Sequence, residues 1–168
     1  MSLGYVEELA LRYFEKKGYL CHTNIRFQMK KQQTGKKIAG WSDIDLISLR
    51  PKEFAIVQCK SFLGTEKSTI IEKKIKLWFE NAIVFIKEDE IWKYWLKGRK
   101  IRKILIVDFS VKKTEAALKR DGIVILRYSD LLFELLNLLK SGAKRKGKED
   151  DVIIRLLCAM LDMDIIKV

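Results

Sequence analysis

Two short runs rich in β-branched and aromatic residues, SDIDLISL (42–49) and FAIVQCKSF (54–62), flank the only proline in the chain. The four residues between them, Arg50-Pro51-Lys52-Glu53, carry turn chemistry, because proline fixes φ and cannot donate to a ladder. The spacing predicts a β-hairpin, and a hairpin fixes which side chains meet. Alternate residues of a strand share a face. Asp43, Asp45, Ile47 and Leu49 are therefore expected together on the first strand. Phe54, Ile56, Gln58 and Lys60 share a face on the second, with Ala55, Val57 and Cys59 opposite. Each polar pair ends a face that starts apolar at the turn, so Asp45, Gln58 and Lys60 are expected to converge at one end of the sheet.

The rest of the chain reads around that hairpin. Residues 5–17 have the i, i+3, i+4 apolar stripe of an amphipathic helix (Ala10, Leu11, Phe14), stopped by Gly18. Residues 19–28 read as a strand, and 30–37 as a polar loop. Residues 65–96 turn helical, as one long helix or two. KILIVDFS (103–110) and IVILRY (123–128) read as buried strands and KTEAALKRDG (113–122) as a helix. Residues 129–141 form another helix, capped by Ser129 or Asp130. The predicted order is αβββαβαβα, a mixed sheet of about five strands in an α/β fold with helices on both faces. The division expected is a domain over 1–140, a charged linker over 141–151 and a short helical appendage over 152–168.

Composition narrows the function classes. In 168 residues, 34 Lys and Arg face 22 Asp and Glu, a net charge of +12. An excess of that size predicts a polyanionic partner. Three isolated cysteines without CxxC spacing fit a reducing cytosol better than a disulfide framework or structural zinc, and no segment reads as a membrane span or a secretory leader. With one histidine the chain has no material for a serine-type triad, and it lacks a Walker or GxGxxG loop.

The chemistry that suits the hairpin set is metal-assisted phosphodiester hydrolysis. A hard cation, Mg²⁺ or Mn²⁺, takes oxygen ligands, here the Asp45 carboxylate, the Gln58 amide oxygen and the Cys59 carbonyl. Lys60 follows an otherwise apolar run, where an unpaired ammonium would cost several kcal/mol, on the order of a buried-ion penalty. Its place beside a bound water suits it to favour the deprotonated nucleophile. Glu7 lies at the edge of the helix stripe and is expected to be half-exposed or to have a buried partner.

A helix bearing Glu, then a hairpin carrying Asp and (Glu/Gln)-x-Lys, then alternating helices and strands, resembles the PD-(D/E)xK nuclease superfamily. VEELALRYFEKKGY is similar to the opening helix of archaeal Holliday-junction resolvases and Mrr-type restriction endonucleases, and IDLISLRPKEFAIVQCKS resembles their active-site hairpin. The resemblance covers residues 4–63 at motif level and 64–140 in element order alone. It implies a restriction-endonuclease-like three-layer α/β/α fold, Asp45 as primary metal ligand, Gln58 at the second-acid position, Lys60 as catalytic lysine and Glu7 as helix-borne acid, with Asp43 as a neighbour. It also implies a homodimer and products with 5′-phosphate and 3′-hydroxyl ends. Gln58 stands where most of the superfamily has an acid; Mrr-like members resemble this chain in using Gln.

Two other readings stand beside the nuclease. Loss of one carboxylate at Gln58 suits a catalytically silent DNA-binding module on the same fold. SDIDLIS also matches the metal motif of minimal nucleotidyltransferases, but the Gly-Ser that would grip a triphosphate is replaced by Gly35-Lys36. Among the basic clusters, Lys30, Lys31, Lys36 and Lys37 directly precede the first hairpin strand and are expected to cross the DNA backbone. Lys97, Arg99, Lys100, Arg102 and Lys103 form a second cluster, and residues 140–148 a third. Trp78, Trp92, Tyr94 and Trp95 read as core or dimer face before base-stacking groups.

Overall fold

The computed structural model describes residues 4–29, 40–62, 67–109, 112–140, 151–163 and 165. The lysines at 30–37 with Gly35, and residues 141–150 of the linker, lie outside the described residues. The chain forms α1 (Tyr5–Lys16), β1 (Leu20–Gln28), β2 (Trp41–Arg50), β3 (Glu53–Phe62), α2 (Ser68–Glu88), α3 (Glu90–Leu96), β4 (Lys100–Phe109), α4 (Lys112–Arg120), β5 (Ile123–Arg127), α5 (Tyr128–Lys140) and α6 (Val152–Asp162). Among the described residues no helix is long and apolar enough to cross a membrane.

The five strands make one sheet in chain order, antiparallel from β1 to β3 and parallel from β3 to β5. The change of direction follows from the connections. Pro51 and Lys52 turn β2 straight back into β3, whereas β3 reaches β4 through two helices and β4 reaches β5 through α4, the crossovers that parallel neighbours require. On one face α2 packs Ile71, Ile75, Phe79 and Ala82 over Ile47, Phe54, Ile56 and Leu105. On the other, α1, α5 and α6 pack Ala10, Phe14, Leu135 and Leu157 over Leu46, Val57, Ile104 and Ile106. The result is a three-layer α/β structure.

Three local features refine the sequence reading. The helical stretch is two helices, because Asp89 leaves helical geometry and its carboxylate accepts the Ile91 and Trp92 N–H groups, each at 3.0 Å. Helix α5 starts at Tyr128, so Ser129 and Asp130 lie in its first turn, not at its cap. Helix α6 buries Ile154 and Leu157 in the second core. Its cap residue Asp151, which also accepts the Ile154 N–H, pairs with Arg12 of α1 at 2.8 Å.

Candidate active site

Strand β1 matches β2 one to one on either side of a single gap. Thr23 faces Leu46 and Ile25 faces Ile44, but Asn24 and Asp45 form no pair. Asn24 has φ 55°, a left-handed conformation that Asn tolerates better than most residues. On the other side of β2, pairing with β3 runs from Arg50–Glu53 to Leu46–Val57, and no partner pairs beyond it. The hairpin is zipped at its turn and open at its far end.

The opening changes which way the acids face. Ile44 packs in the same cluster as Ile47 and Leu49, while Leu46 packs in the other. Strict alternation would place Ile44 with Leu46. The phase of β2 therefore breaks at Asp45, and the expectation that Asp45 shares a face with Ile47 and Leu49 does not hold. Instead, Asp45 Oδ2 accepts the Cys59 backbone N–H at 2.6 Å. A carboxylate side chain holds an amide of β3 just beyond the last β2–β3 pair.

Three further charges act on Asp45. Burial is the largest influence and pushes its carboxyl up to about 6, opposed by the Cys59 N–H bond. The charges of Glu7 and Asp43 raise it further and that of Lys60 lowers it. Glu7 comes from the first turn of α1, where its side chain accepts the Gly4 N–H at 3.0 Å, the half of a capping box that a glycine N-cap allows. Gly18, at φ 81°, ends that helix and lets the chain turn into β1. Asp43 is half-buried, 3.6 Å from Arg26. Lys60 is exposed, its ammonium open to an approaching ligand. Burial, then Asp45 and Glu7, push the Cys59 thiol well above its ordinary range, so Cys59 offers backbone groups rather than a thiolate.

Gln58 lies on the β3 face of Phe54 and Ile56. It is 5% exposed, and its Oε1 finds no hydrogen-bond partner among the described residues. A buried amide oxygen without a donor is costly, roughly 1–3 kcal/mol, and is the kind of group a cation or its water satisfies. Among the described residues no three His, Cys, Asp or Glu side chains form a ready-made metal cage. The donors here are oxygens of mixed type, Asp45, Glu7, Asp43 and the Gln58 amide. That set fits a hard divalent cation with water in its shell, not zinc.

The structure thus joins Asp45 to Cys59 and brings the charges of Glu7, Asp43 and Lys60 to bear on Asp45, while Gln58 Oε1 bonds to none of them. Sequence reasoning passed over Asn24, whose presence inside a strand was the available signal for the break. Asp108 is exposed one residue beyond the Lys60–Val107 pair, at the same end of the sheet, and its charge acts on Tyr128.

No family model and no curated protein matches the chain. Among solved structures it is similar to the crystal structure of a protein of unknown function, AF1548, with a TM-score of 0.50 and 14% sequence identity. The match covers 95% of this chain and 96% of the other. At that identity the likeness speaks for the α/β fold alone.

Proposed function

We propose that the fold is restriction-endonuclease-like and that the chain is a Mg²⁺- or Mn²⁺-dependent DNA endonuclease, Mrr-like or junction-resolvase-like, acting at the open end of the hairpin. The observation that carries this reading is the Asp45–Cys59 contact. A strand pair stops where its acids begin, and a carboxylate kept near neutral pKa among like charges takes the place of the ladder. Strained titration of this kind is characteristic of functional sites.

In this reading Asp45, the Gln58 amide oxygen and the Cys59 carbonyl would hold the cation, with Glu7 of α1 adding its negative charge. When bound, the metal supplies neutralising charge at the phosphodiester and acidifies water. The exposed Lys60 ammonium would favour the deprotonated form of the attacking water, and among the described residues no carboxylate bonds to it. Glu7, fixed by its bond to Gly4, orients that water in line with the leaving oxygen. The net charge of +12 supplies long-range attraction for the duplex.

A second reading has its own observation. Gln58 removes one negative charge from the donor set, which suits a DNA-binding module that no longer cuts. Supercoiled plasmid, linear duplex, single strand and a synthetic four-way junction, incubated at low salt with Mg²⁺ or Mn²⁺, separate the two. Cleavage that requires metal and disappears in both Lys60→Ala and Asp45→Ala supports the nuclease. Tight, salt-sensitive binding without cutting by the wild type under either metal would leave the module.

A further inference from the structure

The zipped end of the hairpin carries a feature that the hydrolytic site does not use. Helix α3 is seven residues long, and none of them is buried. Ile91 and Tyr94 are 67% and 74% exposed, and Trp95 is 37% exposed. Trp92 and Leu96 pack against the core, which leaves Ile91, Tyr94 and Trp95 on the outward side. Beside it lies an apolar pocket of about 290 Å³, lined by Leu20, His22, Leu49, Asp89, Trp92 and Trp95 among others. Leu20 and Leu49 are paired across β1 and β2 next to the turn, so the pocket opens at the turn end of β2.

Its surroundings are basic. Between Ile91 and Lys103 there are six cations and no acid. Arg99 lies 6.0 Å from the centroid of the Trp95 ring and donates to the Trp95 carbonyl at 2.6 Å and the Arg50 carbonyl at 2.8 Å. Lys100 donates its backbone N–H to the Lys52 carbonyl at 3.1 Å, which brings α3, β4 and the hairpin turn to one corner. The side chains of Arg50, Lys52, Lys97 and Lys100 are exposed there. Inside the pocket the Asp89 Oδ1 already accepts two amide N–H groups. Its second oxygen is the acceptor left for a ligand, and His22 stands against Trp92, ring centroids 5.4 Å apart.

We infer that this corner is a second nucleic-acid site, which holds an unpaired nucleobase of single-stranded DNA against Trp95 and Trp92 with its flanking phosphates on Lys97, Arg99 and Lys100. Three features fit together. Indole faces stack on any base, a ring of cations matches the phosphates on either side of it, and one carboxylate oxygen in an apolar pocket suits the exocyclic amine of adenine, cytosine or guanine. A hydrophobic peptide would leave the cations and the carboxylate without a role. The inference does not depend on the metal site, and its test omits metal.

The test is fluorescence anisotropy of a labelled single-stranded hexamer and of a blunt twelve-base-pair duplex, titrated with the full chain in EDTA. Trp95→Ala is expected to weaken hexamer binding by about 5- to 150-fold, the range of one lost stacking contact, while duplex binding moves less than about twofold. Trp95→Phe, which keeps an aromatic face, restores most of the hexamer affinity. Replacing Lys97 and Lys100 by Ala flattens the hexamer's log–log salt dependence by about 1.4, two phosphate contacts at single-strand strength. The half-exposed setting of Trp95 leaves the fold intact, which a thermal melt checks. Equal losses on hexamer and duplex, or no loss on either, would overturn the assignment. So would displacement of the hexamer by a millimolar 5′-mononucleotide, which points to a free nucleotide, or a Trp95→Ala change seen only in sedimentation, which points to a second copy of the chain. Binding is read in EDTA, where metal-dependent cleavage cannot occur, so failure here is distinguishable from failure of the nuclease reading.

Discussion

The two ends of one hairpin make opposite use of charge. At the turn, β2 and β3 are paired through to Arg50–Glu53, and the charges of that last pair both have partners. Glu53 accepts from Arg102 at 2.8 Å and from the Tyr19 hydroxyl at 3.1 Å, and Arg50 lies over the Tyr19 ring, 3.9 Å from its centroid, and donates to the Lys17 carbonyl. At the other end the ladder has stopped, and Asp45 sits with Glu7 and Asp43, like charges that push its carboxyl upward. Folding alone would favour the first arrangement everywhere. Under the proposed function, a bound cation would offset the like charges and give the nearby Gln58 amide oxygen a partner.

The comparison is sharpened first by activity. Lys60→Ala is expected to lower metal-dependent cleavage by roughly 10²–10⁴-fold, the range for a lost proton-transfer or nucleophile-activating group, with thermal stability unchanged because the side chain is exposed. Cleavage kinetics under single-turnover conditions check it. At the zipped end the expected loss is one of stability. Phe54 is fully buried beneath α2, and Phe54→Ala should cost about 3–5 kcal/mol in denaturant unfolding.

Asp45→Asn should do the reverse and stabilise the metal-free protein. The folded carboxyl titrates at about 6 against an ordinary 3.8, so the ionised form opposes folding. That opposition is complete above the folded value and vanishes below the unfolded one. The variant is therefore expected to be more stable by roughly 1–2 kcal/mol at pH 7–8 in EDTA, with the gap closing as pH falls from 6 towards 4. Urea melts across that range measure it, and a variant less stable than wild type at pH 8 would make Asp45 a structural residue. Glu53→Gln, the matching change at the turn, breaks a partly exposed ion pair and should cost less than about 1 kcal/mol.

Much of this was legible in the chain. The five strands, their hairpin and the alternating helices follow from period and punctuation, and the acids and lysine follow from their intrusion into apolar runs. Periodicity failed at Asp45 because it assumes an unbroken strand. Leu46 and Ile47 are adjacent, apolar and buried on opposite faces, which suits either phase, and only tertiary pairing shows that Ile44 sides with Ile47. Asn24 was a cue to the break, but a single residue with φ above zero carries little weight before its partner strand is known. The packing of α6 was hidden for another reason. Its contact with α1 runs through Asp151 and Arg12, 139 residues apart in sequence, a separation that no local pattern encodes.

The central claim is that the open end of the hairpin gathers oxygen ligands for a divalent cation, and Mn²⁺ titration by calorimetry in the absence of DNA tests it most directly. The account expects the wild type to bind Mn²⁺ with heat that is lost in Asp45→Asn, although that variant is folded and more stable in EDTA. Superimposable isotherms for the two proteins would contradict it.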